Sequence, residues 1–467
     1  MNKSKIALML PMSERISCFF RFEQLGTCYR TELLASFTTF MATAPVLVVN
    51  AHILGNAIFL NQPGDLFEQV LVALVLCSAI ATSLIGLLAN YPFALAPGTG
   101  TAALFTFSIV LNMGMNWRLA LTATFVEGIL FTALVLSPFR RHLIDAIPNS
   151  LKQAMIVGLG LFLSYIALSG KVAPPSLGAG IIVSSTATTT ALGSLKQPAT
   201  LIAITGILLT AILTVRRVKG AMLIGILGTA SLGWLSGVAP LPNKILTIPE
   251  LPIDLVGQAI AGSQYLTGSQ LGNFVAAVFM LLFVCFADTI SSLNFLGQQV
   301  NRVKPDGELH RSKQALLANS LGTISGALFG SVPVIPYLDS ASGIFEGGRS
   351  GFVAIVVAML FLVSAVFAPL FAAIPAFATA PILLMIGVLM MSCVKAIDWN
   401  NLAEAIPAFL VILIMPLTFS VADGMAVGFI ADAAIKMTQG KKQPVSKSSL
   451  ILAGIAVAYF LLIASQS

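Results

Sequence analysis

Long apolar runs, separated by short polar segments, dominate the chain. A run of about 17–25 apolar residues is long enough to cross a bilayer as a helix. The runs predict fourteen membrane-crossing segments, seven before and seven after a long polar connection: 31–54, 69–89, 95–112, 117–138, 150–169, 198–215 and 220–238, then 272–297, 314–331, 338–348, 350–373, 377–395, 402–418 and 421–437. A further apolar run, 449–464, is interpreted either as an extra crossing or as a helix lying in the membrane interface.

The basic residues alternate with the predicted crossings. If the N-terminus lies in the cytoplasm, Arg118, Lys171, Lys196 and Lys244 are the only ones of the 25 Lys and Arg residues that fall outside. Basic residues are enriched in cytoplasmic loops of membrane proteins. The distribution therefore predicts a multi-pass protein of the plasma membrane with a cytoplasmic N-terminus.

Composition excludes several other classes of protein. Hydrophobic residues make up 57% of the chain and charged residues only 9%, whereas a soluble domain carries roughly 25% charged residues. The net charge of +7 comes from basic residues in the short loops between apolar runs, so it does not indicate nucleic-acid binding. The five cysteines show no metal-ligand spacing and are predicted to be free thiols. The acids and histidines form no catalytic constellation, so we expect neither an enzyme nor a cofactor.

Each half of the chain has seven predicted crossings. Because seven is odd, the two halves have opposite orientations in the membrane, which is the usual sign of a transporter repeat. An offset of 241 residues carries Thr31 to Gly272 and Pro92 to Pro333, the starts of corresponding segments. The third and tenth segments therefore occupy equivalent positions. Both are short and interrupted by Pro and Gly, a pattern that points to the binding site of a transporter.

The interrupted segments predict extended backbone followed by half-helices. Pro92 and Pro97 exclude helix before about Gly98, and Pro333 and Pro336 exclude it before about Asp339. Irregular backbone at membrane depth is tolerated only where it lines a cavity in the protein. The exposed N–H groups of the half-helices would favour an anion or a carbonyl-rich ligand. The alternative is that Pro and Gly are common in transmembrane helices generally.

Three acids fall at membrane depth. Asp288 lies near the middle of an apolar helix, on the face that carries Cys285, Ser291 and Ser292. Such a position is costly, so we interpret Asp288 as a ligand or proton site; the alternative is an acid held by neighbouring hydroxyls. Asp339 is interpreted as a ligand site, as a helix cap, or as both. Glu127 is equally compatible with a functional role and with a structural partner for a polar group.

Several motifs resemble one known family. The runs ALAPGTG, ADT, YLDSASGIFEGGRSG and FSVADGMAVGF, in this order, together with AIPNSLKQAMIVGLGLFLSYIAL, resemble the nucleobase–cation symporters. They are most similar to the AzgA-like branch, the permeases for adenine, guanine and hypoxanthine. Three positions depart from the pattern of that branch: Ala102 replaces an amide, Cys285 replaces an acid, and Asp339 replaces a glutamate.

The resemblance implies an all-α fold with a seven-plus-seven inverted repeat, with short strands and half-helices in segments 3 and 10. It divides the chain into a cytoplasmic segment (1–30), a core domain (31–138 and 272–373), a gate domain with the C-terminal segment (139–238 and 374–467) and an extracytoplasmic connection (239–271). It also implies a homodimer. Substrate would lie between core and gate, held by Asp288 and Asp339. The other predicted contacts are Ala96, Gly98, Thr99, Ser340 and Phe286.

The predicted function is secondary active uptake of a purine nucleobase, guanine, hypoxanthine or adenine, by proton symport. A carboxylate accepts the N–H groups of a base. Burial in low dielectric favours a neutral carboxyl, so Asp288 is also the predicted carrier of the coupling proton. Two alternatives remain: an inorganic-anion transporter for sulfate or bicarbonate on the same fold, and a membrane sensor that transports nothing. The chain has no GxxxxGK[ST] loop, so ATP drive is not expected.

Overall fold

The computed structural model describes residues 12–137, 148–169, 179–185, 189–242, 244–303, 309–439 and 449–460, apart from 451, 455, 458 and 459. Helix makes up 73% of these residues. Every apolar run predicted before residue 438 carries helix close to its predicted bounds, and Pro198–Val215 and Leu402–Thr418 agree residue for residue. The run 449–464 lies only partly within the described residues.

The first half of the chain forms mainly long helices joined by short loops. The elements are α1 (Met12–Phe19), α2 (Phe22–Leu25), α3 (Tyr29–Leu54), α4 (Phe67–Ala89), β1 (Leu95–Pro97), α5 (Thr99–Ala103, continued by a π-helix, Leu104–Asn112), α6 (Trp117–Leu136), α7 (Asn149–Leu168), β2 (Ile182–Ser185), β3 (Thr189–Leu192), α8 (Pro198–Val215), α9 (Ala221–Leu235) and α10 (Gln258–Ala261, followed by a 3₁₀ turn at Gly262–Tyr265).

The second half of the chain begins with a 3₁₀ turn at Gly268–Gln270. Its elements are α11 (Leu271–Gln299), α12 (Ser312–Phe329), β4 (Val334–Pro336), a 3₁₀ turn (Leu338–Ser340) leading into α13 (Ala341–Phe345), α14 (Gly351–Ser364), a 3₁₀ turn (Ala365–Phe367), α15 (Ala368–Ala372), a 3₁₀ turn (Ala376–Ala378), α16 (Ala380–Met391), a 3₁₀ turn (Ser392–Ala396), α17 (Leu402–Thr418) and α18 (Val421–Gln439).

Length and hydropathy identify a multi-pass membrane protein. Eight helices of the described residues are long and apolar enough to cross a membrane, and three shorter apolar helices, α5, α9 and α17, accompany them. The five cysteines are free thiols, as predicted.

The helices pack in two groups. Helices α3, α4 and α6 pack with α11, α12 and α14, whereas α7 and α8 pack with α16, and α7 and α18 pack with α17. Glycines allow the closest approaches in both groups. A Cβ on Gly86 would lie 2.7 Å from the carbonyl oxygen of Gly351, and a Cβ on Gly387 would lie 2.6 Å from that of Gly160. Close contact of backbones through small residues is a typical way for helices to associate in membranes.

Two small sheets interrupt the helical architecture. Strands β1 and β4 form an antiparallel pair in which Ala96 is opposite Ile335, so the predicted extended stretches do meet. The hairpin of β2 and β3 was not predicted, although its run of Val, Thr and Ser is typical of short strands.

The prediction that Asp339 caps a helix is wrong. Asp339 lies inside the 3₁₀ turn, the cap positions belong to Tyr337 and Ser340, and neither makes a side-chain cap hydrogen bond. The carboxyl of Asp339 is therefore not committed to capping.

Candidate functional site

The antiparallel pair of β1 and β4 forms the centre of the site. The prolines at 92, 97, 333 and 336 keep both stretches extended, because proline cannot continue a helix from the preceding turn. Their backbone groups then pair with each other: the N–H of Gly98 donates to Pro333 (3.1 Å) and that of Tyr337 donates to Ala94 (2.9 Å). The two strands thus satisfy each other's backbone N–H and carbonyl groups, which would otherwise have no hydrogen-bond partner at membrane depth.

Polar side chains from the surrounding helices fix this pair in place. On α4, the Thr82 hydroxyl donates to the carbonyl of Leu95 (2.7 Å) and accepts from its N–H (2.9 Å). On α12, the Thr323 hydroxyl accepts from the N–H of Val334 (3.2 Å). The Ser340 hydroxyl accepts from the N–H of Ala94 (3.0 Å). These bonds hold the strands rigidly between helices of the first group.

Asn50 and Tyr337 link the C-terminal ends of the two antiparallel strands through side-chain hydrogen bonds. The Asn50 amide donates to the carbonyl of Pro97 (2.6 Å) and to the Tyr337 hydroxyl (3.2 Å), and that hydroxyl donates to the same carbonyl. Tyr337 is buried, and its hydroxyl lies within electrostatic range of both Asp288 and Asp339. The charges of both predicted carboxyls therefore act on this hydroxyl.

Asp288 lies on α11 at the boundary between the two groups of helices. The Ser292 hydroxyl donates to its Oδ1 atom (3.3 Å), whereas Ser291 bonds to the backbone of its own helix. Across the boundary, Cys393 lies within electrostatic range of Asp288. The side chain is partly exposed, so at least one carboxylate oxygen remains available to a ligand.

Asp339 lines a cavity of about 580 Å³ between the two groups of helices. One wall comes from α3 and α13, and the other comes from the α8–α9 connection and the start of α9. At the mouth, the Lys219 ammonium pairs with the Glu346 carboxylate at 2.7 Å, which links the two walls. The cavity opens on the side predicted to be cytoplasmic and is large enough for a small planar ligand.

The other predicted contacts are mostly buried parts of the scaffold. Ala96, Gly98, Thr99 and Ser340 are all buried at the strand pair and its half-helices. No side chain caps the first turn of α5 after Gly98, so that turn has N–H groups available. Phe286, by contrast, packs edge-to-face against Phe131 of α6 (5.4 Å) and is 3% exposed. The structure thus puts its ring in a helix–helix contact.

Sequence reasoning missed Asn50, Thr82, Thr323 and Tyr337. Asn50 alone carried a visible signal, because an amide inside an apolar membrane segment needs a partner. Its partner Tyr337 is 287 positions away, so only the folded chain reveals the contact.

Gly100 supplies a test of the contact between the two groups of helices. A Cβ at Gly100 would lie 2.2 Å from Cδ2 of Leu159 on α7. Overpacking of this kind costs about 1–3 kcal/mol, and because this contact joins the two groups of helices, Gly100→Ala should lower uptake of the transported solute. Leu159→Ala in the same chain should restore uptake. Normal uptake by Gly100→Ala, or no rescue in a folded double variant, would contradict this contact.

Comparisons with known proteins agree with this picture. The model of the permease family, the xanthine/uracil permeases, matches residues 30–427. Permease MJ0326 of Methanocaldococcus jannaschii is 43% identical over 95% of this chain and 97% of its own length. The guanine/hypoxanthine permease PbuG of Bacillus subtilis is 37% identical over 95% of this chain and 99% of its own length.

The fold also has a solved counterpart. The transmembrane domain of a cyanobacterial bicarbonate transporter, BicA, superposes with a TM-score of 0.60 at 16% identity, over 84% of this chain and 96% of that one. The predicted resemblance is confirmed: the chain belongs to the xanthine/uracil permease family, a family of membrane transporters and not of enzymes.

Proposed function

We propose that this chain takes up a purine nucleobase by secondary active transport driven by protons. The carrying observation is that Asp339 lines the cavity between the two groups of helices, while the charges of Asp288 and Asp339 both act on Tyr337 beside the strand pair. Two carboxylates accept hydrogen bonds and donate none. They therefore suit a ligand edge with several N–H donors, such as that of guanine. The name of PbuG, a guanine/hypoxanthine permease, supports the same class of substrate.

The roles of the site residues follow from their positions. Asp288 and Asp339 accept the N–H groups of the base, and the free N–H groups at the start of α5 meet a ring carbonyl. Gly98, Thr99, Ala96 and Ser340 shape the floor of the site. Asp288 also carries the coupling proton, because it lies at the boundary that opens and closes. A stacking role for Phe286 would require its ring to leave Phe131.

The finer architecture is a seven-plus-seven inverted repeat with core (31–138 and 272–373) and gate (139–238 and 374–467) domains. Helix packing supports it, because the contacts come in matched pairs. The contact of α3 with α14 corresponds to that of α11 with α6, and the contact of α4 with α14 corresponds to that of α12 with α6. The contact of α7 with α17 corresponds to that of α16 with α8. Each pair exchanges one element for its equivalent in the other half, as a twofold pseudosymmetry requires.

The same arrangement suggests how the substrate moves. The cavity at Asp339 lies between core and gate, and the Lys219–Glu346 pair joins the two at its mouth. A shift of the core past the gate would break this pair and carry the base across the membrane. The chain acts in the plasma membrane as a homodimer with its N-terminus, 1–30, in the cytoplasm.

The alternative cargo is an inorganic anion such as sulfate or bicarbonate. The fold shared with a bicarbonate transporter permits it, but fold alone does not decide the cargo. Two carboxyls facing one ligand disfavour an anion by like-charge repulsion.

The test is uptake of labelled guanine, hypoxanthine, adenine and uracil by a permease-deficient host that expresses the chain. We expect saturable uptake of at least one purine, inhibited by the other purines and not by sulfate or bicarbonate. Uptake blocked by sulfate or bicarbonate would favour the anion transporter. Base binding without flux would favour a sensor.

A further inference from the structure

A second acid, Glu127, is buried in the core beside the proposed site without a partner. It lies in the middle of α6, its side chain is 0% exposed, and neither carboxyl oxygen has a hydrogen-bond partner among the described residues. The next residue, Gly128, packs against Ile324 of α12. One turn after Glu127, Phe131 packs against Phe286 of α11. Glu127 therefore faces the seam between α11 and α12.

The neighbours of Glu127 in this seam supply few donors. Cys285 on α11 is its titratable neighbour. The Asn319 amide donates to the Thr289 hydroxyl (3.1 Å) and to the Cys285 sulfur (3.9 Å), while its own Oδ1 atom is buried and unpartnered. The seam thus holds three buried, unpartnered acceptor atoms: Oε1 and Oε2 of Glu127 and Oδ1 of Asn319. One proton on Glu127 would turn an unpaired acceptor into a donor.

Among the residues that the structure describes, no cation near Glu127 balances a negative charge. On α6 itself, Arg118 lies about 13 Å away along the helix axis and bonds to the hydroxyl of Tyr265, the titratable group of the adjoining 3₁₀ turn. On α12, Lys313 lies about 16 Å along the axis from Ile324. The π-helix beside α6 has no titratable residue. From α11, only Cys285 and Asp288 face this region, and Asp288 carries the same sign of charge.

The contact with the transport site runs through Cys285. Its thiol donates to the carbonyl of Val334 in β4 (3.6 Å), and it lies within electrostatic range of both Glu127 and Asp288. A charge on Glu127 would therefore act on the Cys285 thiol, which joins α11 to the strand pair. A buried carboxyl without a counter-charge favours its neutral form and releases its proton only when its surroundings change.

We infer that Glu127 is a second proton-binding carboxyl, which carries a coupling proton in addition to the one on Asp288. Glu127 takes a proton from water on the outer side as a neutral carboxylic acid. It returns that proton to cytoplasmic water after the shift, leaving a carboxylate that is neutralised again in the next cycle. The inference rests on the proposed function and adds the stoichiometry: two protons for each base.

The experiment is steady-state accumulation of labelled guanine or hypoxanthine in proteoliposomes, at zero membrane potential and over a series of pH gradients. With two coupled protons, the logarithm of the accumulation ratio rises by about 2 for each pH unit; with one proton it rises by about 1. We expect a slope near 2 for the wild type and for Glu127→Asp, and near 1 for Glu127→Gln. A merely structural role would change the rate of approach and leave the slope intact.

A slope near 1 in the wild type, or an unchanged slope in Glu127→Gln, would overturn the inference and leave the proposed function intact. A wild-type chain that moves no base would instead overturn the proposed function. Infrared difference spectra would then still report whether the Glu127 carboxyl is protonated. A neutral-carboxyl band at neutral pH that is absent from Glu127→Gln supports proton binding, and no such band overturns it. The wild-type slope and band are informative even if Glu127→Gln fails to fold.

Discussion

Asp288→Asn is expected to lower the rate of purine uptake by roughly 10- to 100-fold and to lower the accumulation ratio driven by protons. The amide keeps the shape of the carboxyl and can still accept from Ser292 (3.3 Å in the wild type). It loses the negative charge and presents a donor where the base also presents donors. Hydrogen bonds to charged groups contribute about 1.5–3 kcal/mol, and each 1.4 kcal/mol is a factor of about ten.

The matched control for this variant is Asp398→Asn, in an exposed loop where the carboxylate accepts from the N–H of Asn400. Its uptake should equal that of the wild type. Initial rates across external pH measure both variants, with surface abundance as the reference. If Asp288→Asn kept the wild-type rate and pH profile, the role given to Asp288 would be wrong.

Glu32→Ala is expected to destabilise the whole protein. Glu32 is fully buried on α3, and its carboxylate accepts from the N–H of Arg349 (2.9 Å), from the N–H (3.3 Å) and hydroxyl (2.5 Å) of Ser350, and from the Thr27 hydroxyl (2.7 Å). It thereby joins the start of α3 to the start of α14. Removal of one partner from a buried charged network costs roughly 3–5 kcal/mol, which is a large part of a total stability of about 5–15 kcal/mol.

The measurement is the apparent melting temperature in detergent, together with the amount of folded protein in the membrane. Glu23→Ala is the matched control, because Glu23 is exposed on the neighbouring short helix α2. Glu32→Gln should fall between the two, since it keeps one acceptor oxygen. A Glu32→Ala protein as stable as Glu23→Ala would show that this network does not hold the two helices together.

The helices could be predicted from the sequence because hydropathy reports directly on membrane burial. The break at Pro333 and Pro336 could be predicted for the same local reason, since proline removes a donor and blocks the preceding turn. The pairing of Ala96 with Ile335 could not be predicted, because the register of the two strands depends on contacts between segments about 240 residues apart. The twofold pattern in the sequence indicated only that the two breaks are equivalent.

The side-chain network of the site was beyond sequence reasoning. Asn50, Thr82 and Tyr337 act through partners that are distant in the chain, so their polarity alone did not reveal which backbone groups they satisfy. Asp339 matched the local pattern of a helix cap, but the chain begins its helix with a 3₁₀ turn, which moves the cap position to Tyr337. The prediction for Phe286 depends on its aromatic ring alone, whereas the packing of α11 on α6 determines where that ring lies.

Accumulation of labelled guanine or hypoxanthine by purified protein in proteoliposomes tests the central proposal most directly. An inward-directed proton gradient should drive the base to a higher concentration inside than outside. A proton ionophore should collapse that difference, and Asp288→Asn should reduce it. Proteoliposomes that accumulate no purine under this gradient, but exchange sulfate or bicarbonate, would contradict the account.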